Sequence, residues 1–314
     1  MRRFELAALC LAVPAAFAAA WGIDPGLQFL LVEALVLFLM AQMWNLAAGY
    51  AGQVSFGQQL FVGAGAYALF AIANATAVPV WVVLAVVPVL VGLAAIPLGM
   101  VMFHLKHAYF AIGMWVVAEI AQQLVLITPW LGGTGGLTLR PNGEPMQGFP
   151  EQLVLGLALF GSVALVVGLR VFLRTPMGLA TLAMRDNPAA AEGAGVDIRR
   201  LHLILFALTA AGTALAGAMY YTTTLYTSPL DAFQVNWIVA TMFIVVIGGI
   251  GTLTGPAIGT VLMITLREVM TAYGFSGDQY WIVMGLISIV TLLFLPRGLW
   301  PALQAVLSRP RATT

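Results

Sequence analysis

One acidic side chain lies deep in an apolar run, where an ionised group is costly. Glu119 falls near the middle of the run from Tyr109 to Thr128. A charge at the centre of a bilayer costs roughly 2.5–3.5 kcal/mol on insertion scales. We therefore expect Glu119 to face protein or water rather than lipid. It could carry a proton or cation, act in gating, or make a buried structural hydrogen bond, and its position alone leaves these roles open.

Three other charged residues lie nearer the ends of apolar runs. Glu33 lies near one end of its run, and Arg267 with Glu268 lies near the end of another. Long charged side chains at such depths reach the interface or pair with one another. We expect these three residues to be interfacial or paired rather than functional.

The chain offers little else for catalysis or metal binding. His104 and His107 flank a lysine in a short turn without a third ligand nearby, so we interpret them as ordinary loop residues. The single Cys10 excludes an intrachain disulfide and a cysteine-built metal site. There is no pair of catalytic carboxylates and no nucleophile motif. We expect no enzymatic activity and no cofactor.

Two glycine-rich segments follow apolar runs and share a hydroxyl residue just before a glycine. Paired helix breaks in the two halves of a duplicated fold point to the translocation pathway of a transporter. Small residues also let helices pack closely, and both interpretations predict the same glycines. The pathway residues we predict are Gly49, Gly52, Gln53, Ser55 and Gly57 in the first segment, and Gly248, Gly249, Gly251, Thr254 and Gly255 in the second.

A polar, alanine-rich stretch runs from Arg174 to Asp197. It is too polar to span a membrane, yet its alanines, Leu182 and Met184 favour helix between Gly and Pro positions. A short amphipathic helix of this kind suits a groove on a cytoplasmic partner. It also suits a connector that lies on the membrane surface. The spacing of its residues does not separate these two interpretations.

The elements that position these residues are predicted to be membrane-spanning helices. The chain of 314 residues is 61% hydrophobic and 8% charged, with a mean hydropathy of +0.99. A backbone in hydrocarbon satisfies its hydrogen bonds within a helix. We predict an all-α integral membrane protein with an internal pseudo-repeat and Gly-broken helices, in about ten spans: Phe4–Trp21, Gln28–Leu46, Leu60–Ala77, Pro79–Phe103, Tyr109–Thr128, Gln152–Leu173, Leu201–Thr223, Val235–Ile250, Pro256–Thr271 and Gln279–Leu295.

Spans of this number fill the chain, so residues 1–314 are predicted to form one transmembrane domain without a soluble nucleotide-binding domain. The formal net charge of +1 argues against a nucleic-acid partner. The partner expected over most of the surface is the lipid bilayer.

Lys and Arg residues predict the orientation through the positive-inside rule. With the N-terminus in the cytoplasm, 11 of the 13 basic residues fall inside, and only Arg140 and Arg267 fall outside. Both termini are then cytoplasmic, the loop Pro129–Glu151 is outside, and residues 174–200 form the largest cytoplasmic connection. The first apolar segment ends in small residues, as a cleavable signal peptide does, and we favour a retained span.

Six fragments of the sequence, in order, resemble one known family. They are Asn45 to Gly57, Tyr109 to Ile120, Gly132 to Leu137, Arg174 to Val196, Ala211 to Gly217, and Val246 to Pro256. They are spread over most of the chain, from Asn45 to Pro256, and resemble the permeases of branched-chain amino-acid ABC importers. Among the paired permeases of that family, the resemblance is to the one with the longer cytoplasmic loop.

The resemblance implies that the stretch around Met184 to Gly195 is a coupling helix that docks on an ATPase subunit. The residues that would carry coupling are Met184, Arg185, Asp186, Asn187, Ala189, Ala190, Glu192 and Gly195. The chain departs from the family pattern at Asp186 and Pro188, where glutamates are common, and at Leu179, where an arginine is frequent. These departures leave the start of the helix and its charge contacts open.

The resemblance also implies partners: two ABC ATPase subunits, a second related permease in a heterodimer, and an extracytoplasmic substrate-binding protein. The chain has no Gly-x-x-x-x-Gly-Lys-Ser/Thr phosphate loop, so ATP hydrolysis is expected on the partner subunits. The expected location is the bacterial cytoplasmic (inner) membrane.

The primary hypothesis is conduction of a branched-chain or related small amino acid by alternating access at the interface of two permeases. Urea, short amides and aromatic acids stay open as substrates. The rival hypothesis is an ion-coupled secondary transporter, in which Glu119 would carry a proton or cation.

Overall fold

A computed structural model describes residues 24–106, 108–143 and 151–307 of the chain. Its α-helices are α1 (Pro25–Trp44), α2 (Gln58–Ala75), α3 (Val80–Met102), α4 (Ala108–Leu126), α5 (Glu151–Phe172), α6 (Pro176–Asp186), α7 (Pro188–Gly193), α8 (Ile198–Thr224), α9 (Pro229–Ala232), α10 (Asn236–Gly248), α11 (Gly255–Ala272), α12 (Gly277–Phe294) and α13 (Leu299–Leu307). A π-helix, Asn45–Tyr50, continues α1, and single 3-10 turns lie at Pro129–Leu131, Gly133–Gly135 and Pro141–Gly143. Two short strands, β1 (Leu137–Thr138) and β2 (Tyr226–Thr227), form a ribbon.

The predicted helical membrane fold is confirmed, although the count of ten spans is not. The first predicted span, Phe4–Trp21, and the question of its cleavage lie outside the described residues. Each of the other nine spans overlaps one helix and agrees with it to within three residues at either end. Within the described part of the chain, seven helical stretches are long and apolar enough to cross a membrane.

The two predicted spans that miss this level of hydropathy are α2 and α11. Each begins directly after a glycine-rich segment, and each carries polar residues along its length: Gln58 and Gln59 in α2, and Arg267 and Glu268 in α11. The glycine-rich segments therefore lead into the two least apolar helices of this predicted set.

Several helices start with the same local chemistry. A side-chain oxygen accepts a hydrogen bond from a backbone N–H of the first turn, and proline occupies the first helical position, where no N–H is needed. This pair of residues begins α1 (Asp24, Pro25), α6 (Thr175, Pro176), α7 (Asn187, Pro188) and α9 (Ser228, Pro229).

Helix α8 is the central element of the bundle, because it packs along α3, α2 and α1. Small residues allow close approach of the backbones. A Cβ atom at Gly65 of α2 would lie 2.1 Å from the carbonyl oxygen of Ala214 in α8, and one at Gly217 of α8 would lie 2.5 Å from the carbonyl oxygen of Val62. The α2–α8 interface therefore has no room for a methyl group at these glycines.

Replacing Gly65 with alanine is expected to destabilise the bundle by about 1–3 kcal/mol, because the new methyl group forces α2 away from α8. Thermal unfolding of the detergent-solubilised protein measures this effect. Gly168→Ala is the matched control, since a Cβ atom at Gly168 in α5 meets no atom within 4 Å. Equal melting temperatures for the two variants would contradict the packing described for α8.

The β-ribbon closes one end of the bundle. Asn74, near the end of α2, donates from Nδ2 to the Thr138 carbonyl oxygen (2.9 Å) and accepts from the Arg140 N–H (2.6 Å). The Tyr226 hydroxyl donates to the Gly135 carbonyl oxygen at 3.0 Å. A glycine-rich segment precedes α2, and the ribbon lies at the other end of this helix. The 18 residues of α2 place the two about 27 Å apart.

Candidate functional site

The two glycine-rich segments meet at the end of the bundle opposite the β-ribbon. The first begins in the π-helix that continues α1, and the second joins α10 to α11. A Cβ atom at Gly49 would lie 2.6 Å from the backbone nitrogen of Gly251 and 2.2 Å from Oδ1 of Asn45. Glycine at position 49 is therefore required by close approach, and the two predicted breaks form one junction.

Asn45 and Gln42 hold this junction together from α1. Asn45 is fully buried and donates from Nδ2 to the Thr252 carbonyl oxygen (2.8 Å), while its Oδ1 accepts from the Gly251 N–H (2.7 Å). One turn earlier, Gln42 Nε2 donates to the Leu253 carbonyl oxygen at 2.7 Å. Three side-chain hydrogen bonds thus tie the end of α1 to the second glycine-rich segment.

Sequence reasoning missed both amides. The available signal was two amide side chains three residues apart at the end of an apolar span, where polar groups need buried partners. A π-helical turn at the same place is a further sign, since such turns are frequent at functional sites.

A hydroxyl group makes hydrogen bonds within each segment, and in the second segment it belongs to Thr252. In the first, Ser55 Oγ accepts from the Gly57 N–H at 3.2 Å. In the second, Thr252 Oγ1 accepts from the Gly255 N–H (3.0 Å) and donates to the Gly249 carbonyl oxygen (2.8 Å). Thr254, which precedes the glycine in sequence, makes no such bond in the described structure. The hydroxyl of the second segment therefore acts from three residues before the glycine.

Three further glycines of the two segments allow close packing. A Cβ atom at Gly57 would lie 2.4 Å from the Met114 carbonyl oxygen of α4. A Cβ atom at Gly248 would lie 2.0 Å from the Gly255 carbonyl oxygen, and Gly249 lies against Pro301 of α13. The packing interpretation thus accounts for these three positions by geometry.

Polar side chains line the bundle interior beside the first segment. A cavity of about 10 Å³ is lined by Gln53, Ser55, Gln58 and Thr209, together with aromatic and alanine side chains. Gln58 Nε2 donates to Thr213 Oγ1 at 2.5 Å. Gln53 Oε1 is buried without a hydrogen-bond partner among the described residues. The region beside the first segment is therefore a polar zone inside a largely apolar bundle.

The polar stretch between α5 and α8 docks on the glycine junction through one arginine. Arg185, near the end of α6, donates from Nη1 to the Gly49 carbonyl oxygen at 2.9 Å. Its Nε and Nη2 atoms donate to Oδ1 of the neighbouring Asp186 at 2.9 and 2.8 Å. The Arg185 guanidinium therefore points into the junction, and Asp186 balances its charge.

The same stretch has one anchored side and one exposed side. Met184 is 2% exposed and Ala191 is 4% exposed, and both belong to a small core with Tyr50 of the π-helix and Leu201 and Leu205 of α8. The exposed side comprises Asp186, Asn187, Pro188, Ala189, Ala190, Glu192, Gly193, Ala194 and Gly195. Of the predicted coupling residues, Met184 and Arg185 thus contact the chain itself, and the others are available to a partner.

The structure answers the question raised by Asp186 and Pro188. Asn187 is the N-cap of α7, where its Oδ1 accepts from the Ala190 N–H at 3.1 Å, and Pro188 takes the first helical position. A glutamate at position 188 is not needed to begin the helix. Leu179 is 59% exposed on α6, so no internal contact replaces the arginine that is frequent there.

Glu119 makes its one described hydrogen bond within α4. Its Oε1 accepts from Trp115 Nε1 on the same helix at 3.2 Å, and it is half-buried. It lies on a face of α4 with the exposed side chains of Ile112, Val116 and Ile120. Nothing else in the described chain covers this face.

Glu33 and Arg267 are paired, as predicted. The Arg267 guanidinium donates to both carboxylate oxygens of Glu33, with 2.7 Å between Nη2 and Oε2, and Glu268 Oε1 lies 3.4 Å from Nη2. This bidentate pair connects α1 with α11 in the half of the bundle away from the glycine junction. Together with Glu268, it accounts for three of the four charged residues identified in the apolar runs.

The chain is similar to known transport permeases over most of its length. The family model described as branched-chain amino acid transport system / permease component matches residues 26–295. The LivM permease protein of the high-affinity branched-chain amino acid transport system of Escherichia coli (strain K12) is 24% identical over 293 residues, which cover 85% of this chain and 68% of the relative. No solved structure matches the chain.

Other relatives share shorter regions. The probable branched-chain amino acid transport permease protein LivM of Methanocaldococcus jannaschii is 29% identical over 143 residues, or 41% of each chain. The ribose import permease protein RbsC of Bacillus subtilis (strain 168) is 26% identical over 175 residues, or 50% of this chain and 54% of the relative. The family match covers both glycine-rich segments and the polar stretch between α5 and α8, and on this ground the chain belongs to the branched-chain amino-acid ABC transporter permease family.

Proposed function

We propose that this permease subunit translocates branched-chain or related small amino acids, powered through the α6–α7 stretch by separate ATPase subunits. ABC permeases of this family are membrane components rather than enzymes, and they work with ATPase partners and a paired permease. The names of the LivM relatives support the substrate class. The similarity to a ribose permease makes sugars the first alternative class to test.

One observation carries the proposal: Arg185 Nη1 donates to the Gly49 carbonyl oxygen at the junction of the two glycine-rich segments. The same stretch presents an exposed surface from Asp186 to Gly195. A partner that grips this surface moves α6 and α7, and the arginine carries the displacement to the backbone of the first segment. Because Asn45 ties the first segment to the second, both segments receive the displacement.

The sidedness of the chain follows from this proposal. The cytoplasmic connection, residues 174–200, contains the α6–α7 stretch and the first residues of α8, and it faces the cytosol with both termini. An extracytoplasmic binding protein delivers the solute on the side of the β-ribbon. The bias of Lys and Arg toward the side of α6–α7 supports this orientation.

The pathway is proposed to run along the face of α4 that carries Glu119, where the second permease covers it. A carboxylate at this depth avoids lipid, and its bond to Trp115 leaves one oxygen for water, the partner or the solute. Gln53 and Ser55 supply the polar zone next to the first segment, from which the pathway opens to the cytosol.

Glu119→Gln is expected to lower uptake by less than about tenfold, because the amide oxygen still accepts from Trp115 and a neutral hydrogen bond replaces a charge-assisted one. Glu119→Leu should lower uptake further, since no acceptor remains. ATP-driven uptake into membrane vesicles measures both. If Glu119 instead carried a proton, Glu119→Gln would abolish uptake as completely as Glu119→Leu, and the pathway proposal would give way to ion coupling.

Purification from the native membrane tests the function as a whole. We expect the solubilised chain to bring down ATPase subunits and a related permease, and the complex in proteoliposomes with its binding protein to take up leucine on addition of ATP. Parallel uptake of ribose, urea and an aromatic acid tests the substrate class. Gradient-driven uptake by the chain alone would overturn the proposal in favour of a secondary transporter.

A further inference from the structure

A second cavity lies beside the α6–α7 stretch and is not part of the junction. It has a volume of about 550 Å³ and opens between the end of α3, the end of α7 and the beginning of α8. Phe103, Val196 and Ile198 contribute apolar surface, and Glu192, Asp197 and Arg199 contribute charges. Its volume is in the range of small-molecule sites, roughly 300–1,000 Å³.

The charges around this cavity are not neutralised by one another. Among the described residues, neither Glu192 nor Arg199 has an ion-pair partner within 4 Å. Asp197 uses Oδ1 to accept from the Arg200 N–H at 3.0 Å, which begins α8, and its other oxygen makes no hydrogen bond there. The cavity thus offers one cationic donor and two acidic groups to a ligand.

The apolar surface lies next to these charges. The Phe103 and His202 rings lie 5.7 Å apart between centroids, and Phe103 also stacks near Phe110 of α4. In this cavity a simple anion would meet two unfavourable charges and a simple cation would meet one. A small zwitterion with an apolar side chain would match all three features: carboxylate with Arg199, ammonium with Glu192 or Asp197, and side chain against Phe103.

We propose that this cavity binds a zwitterion of the α-amino-acid class from the cytosolic side and thereby slows the transporter. Glu192 lies on α7 and Arg199 lies on α8, so a ligand that contacts both ties the coupling stretch to the bundle. A tied coupling stretch cannot follow the ATPase subunits through their cycle. The proposal rests on the proposed function, since the ligand is the transported solute accumulated inside the cell.

The experiment uses the complete permease–ATPase complex in nanodiscs, without the binding protein, and L-leucine as the probe. Calorimetry should detect leucine binding, and saturating leucine should lower basal ATP hydrolysis. Two analogues each lack one charge: 4-methylpentanoate has no ammonium group and isoamylamine has no carboxylate. Each should bind at least about tenfold more weakly, since each loses a charged hydrogen bond.

Arg199→Gln separates this cavity from any leucine site in the pathway. The variant should retain basal ATP hydrolysis and lose both leucine binding and inhibition by about tenfold or more. Arg200→Gln is the matched control, because Arg200 is the next residue of α8 and does not line the cavity. Equal leucine inhibition in the two variants would overturn the proposal.

A phosphatidylethanolamine headgroup is also a zwitterion and could reach the same cavity from the cytoplasmic leaflet. Nanodiscs with and without this lipid distinguish the sources. Weaker leucine binding in its presence supports one site for both sources. If leucine binds in neither kind of nanodisc, the amino-acid proposal is wrong and the proposed function still stands. If the chain recovers no ATPase subunits, the proposed function itself is wrong.

Discussion

Asn45→Ala is expected to abolish most ATP-driven uptake and to lower the stability of the bundle. The truncation leaves the half-buried Gly251 N–H and Thr252 carbonyl oxygen without the partners they have at 2.7 and 2.8 Å. Each unpaired buried group costs about 1–3 kcal/mol. Because the same side chain joins the two glycine-rich segments, displacement of the first is no longer passed to the second.

Two measurements on this variant separate stability from coupling. Thermal unfolding in detergent reports the lost hydrogen bonds, and the number of ATP molecules hydrolysed per leucine taken up reports coupling. Gln122→Ala is the matched control, because Gln122 Nε2 also donates to a backbone carbonyl oxygen, that of Pro229, at 3.2 Å and far from the junction. We expect the control to lose some stability and keep its ATP-to-leucine ratio. If Asn45→Ala and Gln122→Ala had the same ATP-to-leucine ratio, the Asn45 amide would have only a structural role.

Arg185→Ala is expected to uncouple ATP hydrolysis from uptake. The change removes the donor to the Gly49 carbonyl oxygen and leaves Asp186 without its counter-ion. Uptake should fall at least about tenfold, as expected from the loss of one charged hydrogen bond, whereas ATP hydrolysis by the assembled complex should continue. Uptake and hydrolysis in the same proteoliposomes measure the two effects.

Arg185→Lys gives a sharper form of this experiment. Lysine keeps the charge but has a compact ammonium group, so it cannot bind Asp186 and the Gly49 carbonyl oxygen with the same planar geometry. Intermediate uptake is therefore expected. Arg174→Ala is the control, because Arg174 is exposed at the start of the same stretch. Normal uptake by Arg185→Ala would remove the arginine from the coupling route.

The helices were predictable because a chain in hydrocarbon has few ways to satisfy its backbone. Apolar run length alone placed nine helices to within three residues at either end. The start of α7 was left open, although Asn187 and Pro188 carry the local signal for it, since capping depends on neighbouring residues. The cost of a charge in lipid predicted that Glu33, Arg267 and Glu268 would be interfacial or paired, but not that Glu33 pairs with Arg267.

The junction was only partly predictable, because its bonds join residues far apart in sequence. Asn45 and Gly251 are 206 positions apart, and Arg185 and Gly49 are 136 apart, so no local pattern identifies these partners. The glycines identified both segments as helix breaks, but they did not predict that the two segments are in contact. The hydrogen bonds of Thr252 depend on the fold of a turn, which residue types alone do not specify.

The direction of the Arg185 side chain also could not be predicted from the sequence. An arginine in a polar helix is as consistent with a partner surface as with an internal contact. Burial of Met184 and Ala191 fixes the rotation of α6 and α7. In this rotation Ala190 is exposed, and Arg185, although partly exposed, reaches the Gly49 carbonyl oxygen with its guanidinium. The side of the stretch available to a partner thus follows from its anchoring core.

Site-directed cross-linking at Ala190 tests most directly that the outward side of α7 grips an ATPase subunit in the cytosol. Cys10 is first replaced with serine, and cysteine is then introduced at Ala190 or, as a control, at the exposed Ser276 near the opposite end of the bundle. The account predicts that, in intact cells, an impermeant maleimide labels only the cysteine at position 276. The cysteine at position 190 should instead cross-link to an ATPase subunit. Labelling of position 190 from outside, or a complex that transports leucine without this cross-link, would contradict it.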